Sequence, residues 1–145
     1  MEFSFVRREG SPIQSQVLEQ IEEAFSFQYP PILKTYYLKH HGASITYREF
    51  CVGDNEFSVA KFIYPQAVTP KGISVELLLR ENEKNHWYGE HRIPFAADWG
   101  DDIYCWDCVT GKIYLYFPDS DEPEFVMDSI EKFFEKMMQD SSVMV

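Results

Sequence analysis

Arg92-Ile93-Pro94-Phe95-Ala96-Ala97-Asp98-Trp99-Gly100-Asp101-Asp102-Ile103-Tyr104-Cys105-Trp106-Asp107 is the stretch on which the fold turns. Two runs with strand character, Arg92 to Ala97 and Ile103 to Cys108, flank a turn rich in acids that also holds a glycine and a tryptophan. A third run, Lys112 to Phe117, follows after Val109-Thr110-Gly111, which reads as a tight turn. Alternation puts Ile103, Cys105 and Asp107 on one face of the second strand and Tyr104, Trp106 and Cys108 on the other. Neither face is cleanly apolar or cleanly polar. A sheet covered on one side and used on the other has this pattern, and so does a sheet buried on both sides.

Outward from this block, the periodicity predicts helices at both ends of the chain. Ser11 is placed to cap a first helix, with Pro12 at its first position and Gln14 completing a capping box. Ile13, Val17, Ile21, Ala24 and Phe25 then share a face. Tyr29-Pro30-Pro31 ends that unit and starts a second helix, Ile32 to His40, with Gly42 as its C-cap glycine. Ile45 to Val52 and Glu56 to Tyr64 read as a hairpin around Gly53-Asp54-Asn55. Pro65 to Gly72 is irregular. Ser74 caps a helix running to about Lys84, with Val75, Leu78 and Leu79 inward, and Asn85 to Glu90 is a loop. Pro118 to Pro123 is an acidic loop. Asp128 and Glu131 form a capping box for a last helix whose apolar stripe is Ile130, Phe133, Phe134, Met137 and Met138. Strands between terminal helices predict an α+β fold in a single domain, 1–145. Its central sheet is mainly antiparallel, with the N-terminal helices and the C-terminal helix packed on it.

Aromatic residues make up 17% of the 145 residues. Much of that must be core, and the remainder is available for a binding face. The net charge of −11 is unevenly spread. Residues 1–97 hold 10 Lys/Arg against 12 Asp/Glu, whereas 98–140 hold 3 Lys against 12 Asp/Glu. Such a chain is poorly suited to nucleic acid or to an anionic membrane, both of which require Lys and Arg. A basic protein partner would be attracted to it. The N-terminal residues lack the basic-then-apolar pattern of a signal peptide, and no apolar stretch reaches the length of a membrane span, so a cytoplasmic location is expected.

Three cysteines, Cys51, Cys105 and Cys108, do not suggest a disulfide scaffold. Cys105 and Cys108 have C-x-x-C spacing, but within a strand residues three apart point to opposite faces, which suits neither a redox pair nor shared metal ligation. His40 and His41 sit at a helix C-terminus, where an imidazolium is favoured. His86 and His91 flank Trp87 without metal-ligand spacing, and a hydrolytic role would need an acid and a nucleophile to converge on one of them. Asp98, Asp101 and Asp102 lack the alternation of a calcium loop. No phosphate loop or nucleophile elbow is present. No catalytic residue, metal site or cofactor is therefore expected. The remaining reading is recognition: Trp99 and Trp106 alternate with Asp98, Asp101, Asp102 and Asp107, tryptophans to anchor a partner and acids to steer a basic one.

Five segments, in order, resemble the SUKH superfamily of SMI/KNR-like proteins. Leu18 to Phe25 looks like the family's opening helix. Tyr29-Pro30-Pro31-Ile32-Leu33-Lys34-Thr35-Tyr36-Tyr37-Leu38-Lys39-His40-His41-Gly42 is similar to its L-P-x-x-Y-K-x-F-L-x-x-x-N-G segment, with Tyr29 for the usual Leu and His41 for the usual Asn. Ile93 to Asp107 is similar to its I-P-F-A-x-D-x-G-G-D-x-x-C-x-D block, with Asp101 where a second glycine is common. Gly111 to Tyr114 resembles the following strand, and Met127 to Phe134 the closing A-D-S-F-E-E-F-L helix. Residues 53–90 carry little of the pattern.

The resemblance implies an α+β fold without a catalytic site and a role in binding proteins. Bacterial members resemble immunity proteins that neutralise polymorphic toxins, many of them nucleases. Fungal members are linked to the regulation of cell-wall glucan synthesis through protein partners. The resemblance also implies that Pro94, Phe95 and Gly100 shape and pack the turn. The expected partner is a basic toxin domain. The expected contact residues are the acids and tryptophans around the turn and in the next acidic loop: Asp98, Trp99, Asp101, Asp102, Trp106, Asp107, Asp119, Asp121 and Glu122.

Overall fold

In a computed structural model, which describes residues 2–66, 73–120 and 122–139, the three predicted strands form the middle of an antiparallel five-stranded meander. The chain runs β1 (Val6–Arg8), α1 (Ser15–Phe25), α2 (Pro31–His40), β2 (Ser44–Ile45), β3 (Arg48–Val52), β4 (Asn55–Val59), β5 (Lys61–Phe62), α3 (Val75–Asn85), β6 (Arg92–Ala97), β7 (Ile103–Asp107), β8 (Ile113–Tyr116), β9 (Glu124–Met127) and α4 (Ile130–Met138). The main sheet has the order β5-β6-β7-β8-β9, and β1-β2 and β3-β4 form two further two-stranded pairs. Pro94 lacks an N–H for the ladder, and the β6–β7 register shifts between Pro94 and Ala96, an irregularity that accommodates it. The α+β expectation holds, with four helices around a mainly antiparallel sheet.

Both faces of the sheet are covered at its centre. On one face Phe133 of α4 lies 4.9 Å from Phe95 and 5.3 Å from Tyr104, ring to ring. Trp106 meets Phe27, from the link between α1 and α2, at 6.3 Å. On the other face Cys105 is fully buried, and Tyr88 packs edge-on to Tyr116 at 5.2 Å. Thus the alternation of β7, open in the sequence, resolves as burial on both sides. The aromatic excess goes mainly into this core. Phe3, Phe5, Tyr36, Phe62 and Phe134 form a continuous cluster. Its phenols are satisfied by Tyr36–Tyr64 and Tyr64–Ala43 carbonyl bonds, each 2.6 Å. Buried Arg48 donates to the Met137 carbonyl at 3.0 Å, placing a cation at the C-terminal end of α4.

Several boundaries differ from expectation for local reasons. Helix α1 begins at Ser15, not at Pro12, with Gln14 at the cap and no side-chain capping bond. The amides of Ser11 and Ile13 are taken by the carbonyls of His41 and Leu38, so this segment lies along the end of α2 instead of starting a helix. Its close approach requires Gly10, where a Cβ would overlap the His41 carbonyl and the Ala43 amide. The inward face of α1 is Leu18 and Ile21, and Ala24 is exposed. The cap of α4 is Ser129, which accepts from the Lys132 amide at 3.2 Å, while Asp128 pairs with the Lys132 ammonium at 3.7 Å. The predicted hairpin breaks at both ends. Ser44–Ile45 pairs with β1, and Lys61–Phe62 leaves β4 to pair with Ala97 and Ala96 of β6. The strands β1 and β9 were not expected. Residues 67–72 of the predicted irregular segment lie outside the described residues.

Candidate functional site

The turn between β6 and β7 is built by Asp98. Its Oδ1 accepts from the amides of Gly100 and Asp102, both at 2.9 Å. Its backbone amide donates to the Asp102 carbonyl at 3.0 Å, and the Asp101 amide to the Asp98 carbonyl at 3.1 Å. This wrap puts Asp101 in the left-handed region, φ 64°. Glycine is favoured there and Asp is tolerated, which accounts for a glycine being common at this position in the family pattern. Gly100 itself has no such need, since a Cβ there would meet only ordinary contacts. The turn stands against the β3–β4 hairpin, with the Trp99 amide 3.4 Å from Ser58 Oγ and the Tyr104 hydroxyl donating to the Ser58 carbonyl at 2.7 Å.

The Trp99 ring is held outward by this arrangement. It is 77% exposed and stacks edge-on against Tyr47, itself 39% exposed, at 5.5 Å. Beside the pair lies a groove of about 380 Å³ between the hairpin and the far end of the sheet. Half-buried Phe117 supplies apolar surface, the core residues Phe57 and Leu115 border it with little exposed area, and Glu49, Glu56, Asp98 and Glu124 line it with carboxylates. The Tyr47 phenol, next to Glu49, Ser58 and Asp98, has its pKa raised, chiefly by burial.

Asp102 is pushed up to about 6, first by burial and then by the negative charges of Asp98, Asp101 and Asp119. The folded state therefore takes up a proton that the unfolded chain, at the ordinary 3.8, does not. Asp102 thus favours folding increasingly as pH falls from about 6 to 3.8. Asp102→Asn is expected to raise the melting temperature at pH 7 and to lose that advantage near pH 4. A melting-temperature series across this range checks it, and a difference that does not vary with pH contradicts it.

The residues expected at the contact surface divide into three groups. Asp98, Trp99, Asp101 and Asp102 come together in the turn, with Asp101 paired to Lys61 at 3.1 Å. Asp119 and Glu122 are exposed in the following loop, and Asp119 is close enough to act on Asp102. Asp121 lies outside the described residues. Trp106 and Asp107 belong elsewhere, being 7% and 6% exposed. For these two the expected contact role gives way to packing and capping. Trp106 fills the space beside Phe27. Asp107 Oδ1 accepts from the amides of Val109 and Thr110, both at 2.9 Å, while Oδ2 takes the Arg92 Nε at 2.6 Å. These bonds hold its pKa low against the opposing effect of burial. Arg92 also lies 3.9 Å over the Tyr114 ring and donates to the Tyr116 hydroxyl at 2.5 Å.

The other chemical candidates are dispersed. Cys51 is exposed, Cys105 buried and Cys108 half-buried, all as free thiols. Burial raises the pKa of both Cys105 and Cys108, the opposite of an activated thiolate. His40 bonds Glu9 at 2.7 Å, and His41 bonds the Pro65 carbonyl. His86 is the left-handed C-cap of α3, and His91 is exposed beside Glu90. Among the described residues no group of three or more His, Cys, Asp or Glu is placed to hold a metal ion, and no helix is long and apolar enough to cross a membrane.

Tyr47, Glu49, Glu56 and Glu124 were missed in the sequence. The usable signal was the hairpin's polar face, which carries Glu49 and Glu56 without a basic residue. Nothing local marked its meeting with Asp98 and Glu124.

The model of the SMI1 / KNR4 family (SUKH-1) matches residues 12–136, and the chain belongs to this family. No curated protein matches the sequence. Family membership supports a role in binding proteins.

Proposed function

We propose that this SUKH-1 family member is a non-enzymatic immunity protein that binds and neutralises a basic, nuclease-type toxin domain. The observation that carries the reading is the exposed Trp99–Tyr47 pair set against a carboxylate-lined groove. Aromatic side chains anchor protein interfaces, and acids around them orient a basic partner. A nuclease carries a basic surface for its phosphate backbone, so an acidic inhibitor can compete for that surface. The concentration of acids in residues 98–140 favours rapid capture of such a domain, a steering effect that salt weakens.

Co-expression with the toxin encoded beside its gene is the test. The expected result is survival of cells that otherwise die. No neighbouring toxin, or no protection, would overturn the immunity reading. Recovery of cell-wall synthesis enzymes instead would indicate the regulatory role linked to the fungal members.

A further inference from the structure

We infer that the groove beside Trp99 is a subsite for an arginine side chain of the basic protein partner; this rests on the binding role proposed above and specifies its chemistry. In the hairpin, Glu49 pairs across with Ser58 and Cys51 with Glu56. Alternation therefore sets Glu49 and Glu56 diagonally on the outer face while Phe50 and Phe57 point inward. From the other side come Glu124, opposite Leu115 in the β8–β9 ladder, and Asp98 from the turn. Four chain segments thus bring like charges to one concavity. Among the described residues none of the four carboxylates has a Lys, Arg or His within 4.0 Å. Asp98 is committed to the turn amides, but for Glu49, Glu56 and Glu124 folding gains nothing from gathering like charges without a countercharge.

The apolar part of the groove decides what kind of cation fits. Half-buried Phe117, bordered by the thin exposed edges of the core residues Phe57 and Leu115, offers a surface for an aliphatic stem, which a bare metal ion or a small ammonium would leave unused. Tyr47 and Trp99 present ring edges and faces beside it. A guanidinium is planar, stacks on aromatic rings and forks between carboxylate oxygens, whereas an ammonium is a compact, strongly hydrated point charge. Arginine therefore uses the rings, the apolar surface and the acids together. Its neighbour, the exposed tryptophan, supplies the anchor expected beside such a contact.

Titration of the ¹⁵N-labelled protein with acetyl-Ala-Arg-Ala-amide, followed by NMR, tests the subsite. The expected result is a saturable shift of the Trp99 indole and of amides around Glu49, Glu56 and Asp98. The lysine peptide should bind roughly tenfold more weakly, the loss of about one good charge-assisted contact. The citrulline peptide, neutral and of the same shape, should give no saturable shift. Glu49→Gln with Glu56→Gln, both on the exposed hairpin face, should abolish arginine binding with the fold intact. Absence of saturation, equal binding of lysine or citrulline, or shifts spread over all the acidic surface would overturn the proposal. Protection from a toxin by this double variant would remove the groove while leaving the binding role. A positive titration without protection would do the reverse.

Discussion

Phe133→Ala should lower the stability of the protein by about 4 kcal/mol, the usual range for deleting a fully buried aromatic ring. Phe133 is completely buried and projects from α4 into the centre of the sheet. Its ring lies within 6.5 Å of the rings of Phe50, Phe62, Phe95, Tyr104 and Phe134. These neighbours come from the hairpin, three strands and the helix itself, so no single one can move into the space without leaving another. The cavity should persist, and its cost adds to the lost transfer energy. Urea denaturation should show a lower midpoint with an unchanged slope, and melting should fall by roughly 10 °C. A loss below about 1 kcal/mol would mean that α4 is not docked on the sheet in this way.

Asp107→Ala should cost about 3 kcal/mol, near the lower end for removing one partner of a buried ion pair. The carboxylate accepts from the Val109 and Thr110 amides and neutralises Arg92, whose largely buried side chain lies over the Tyr114 ring. Alanine leaves two turn amides and a guanidinium short of partners, and burial makes that expensive. The same variant also tests the assignment of Asp107 to the fold. Its folded fraction should bind the protein partner with unchanged affinity. A stable variant that had lost binding would return Asp107 to the contact surface.

The elements legible in the sequence were those whose pattern is local. The boundaries of β6, the Ser74 cap of α3 and the stripe of α4 follow from neighbouring residues. The segment 11–14 misled because its capping residues are outcompeted by carbonyls of α2, distant in sequence. The strand β9 was hidden by its length, Glu124–Met127, and by the acidic loop before it. Trp106 and Asp107 looked like surface because alternation alone cannot tell a sheet covered once from a sheet covered twice. Trp99 could be proposed as exposed because it sits in a turn. The groove depends on β3, β4, β8 and β9 meeting, and no window of sequence contains that meeting.

Amide hydrogen exchange of the protein, alone and in complex with the toxin domain proposed as its partner, addresses the central claim most directly. Protection should appear at Tyr47 to Ser58, at Asp98 to Asp102 and at Leu115 to Asp119, the segments that frame the groove and its aromatic rim. Protection confined to α1 or α3, with those segments exchanging as in the free protein, would contradict it.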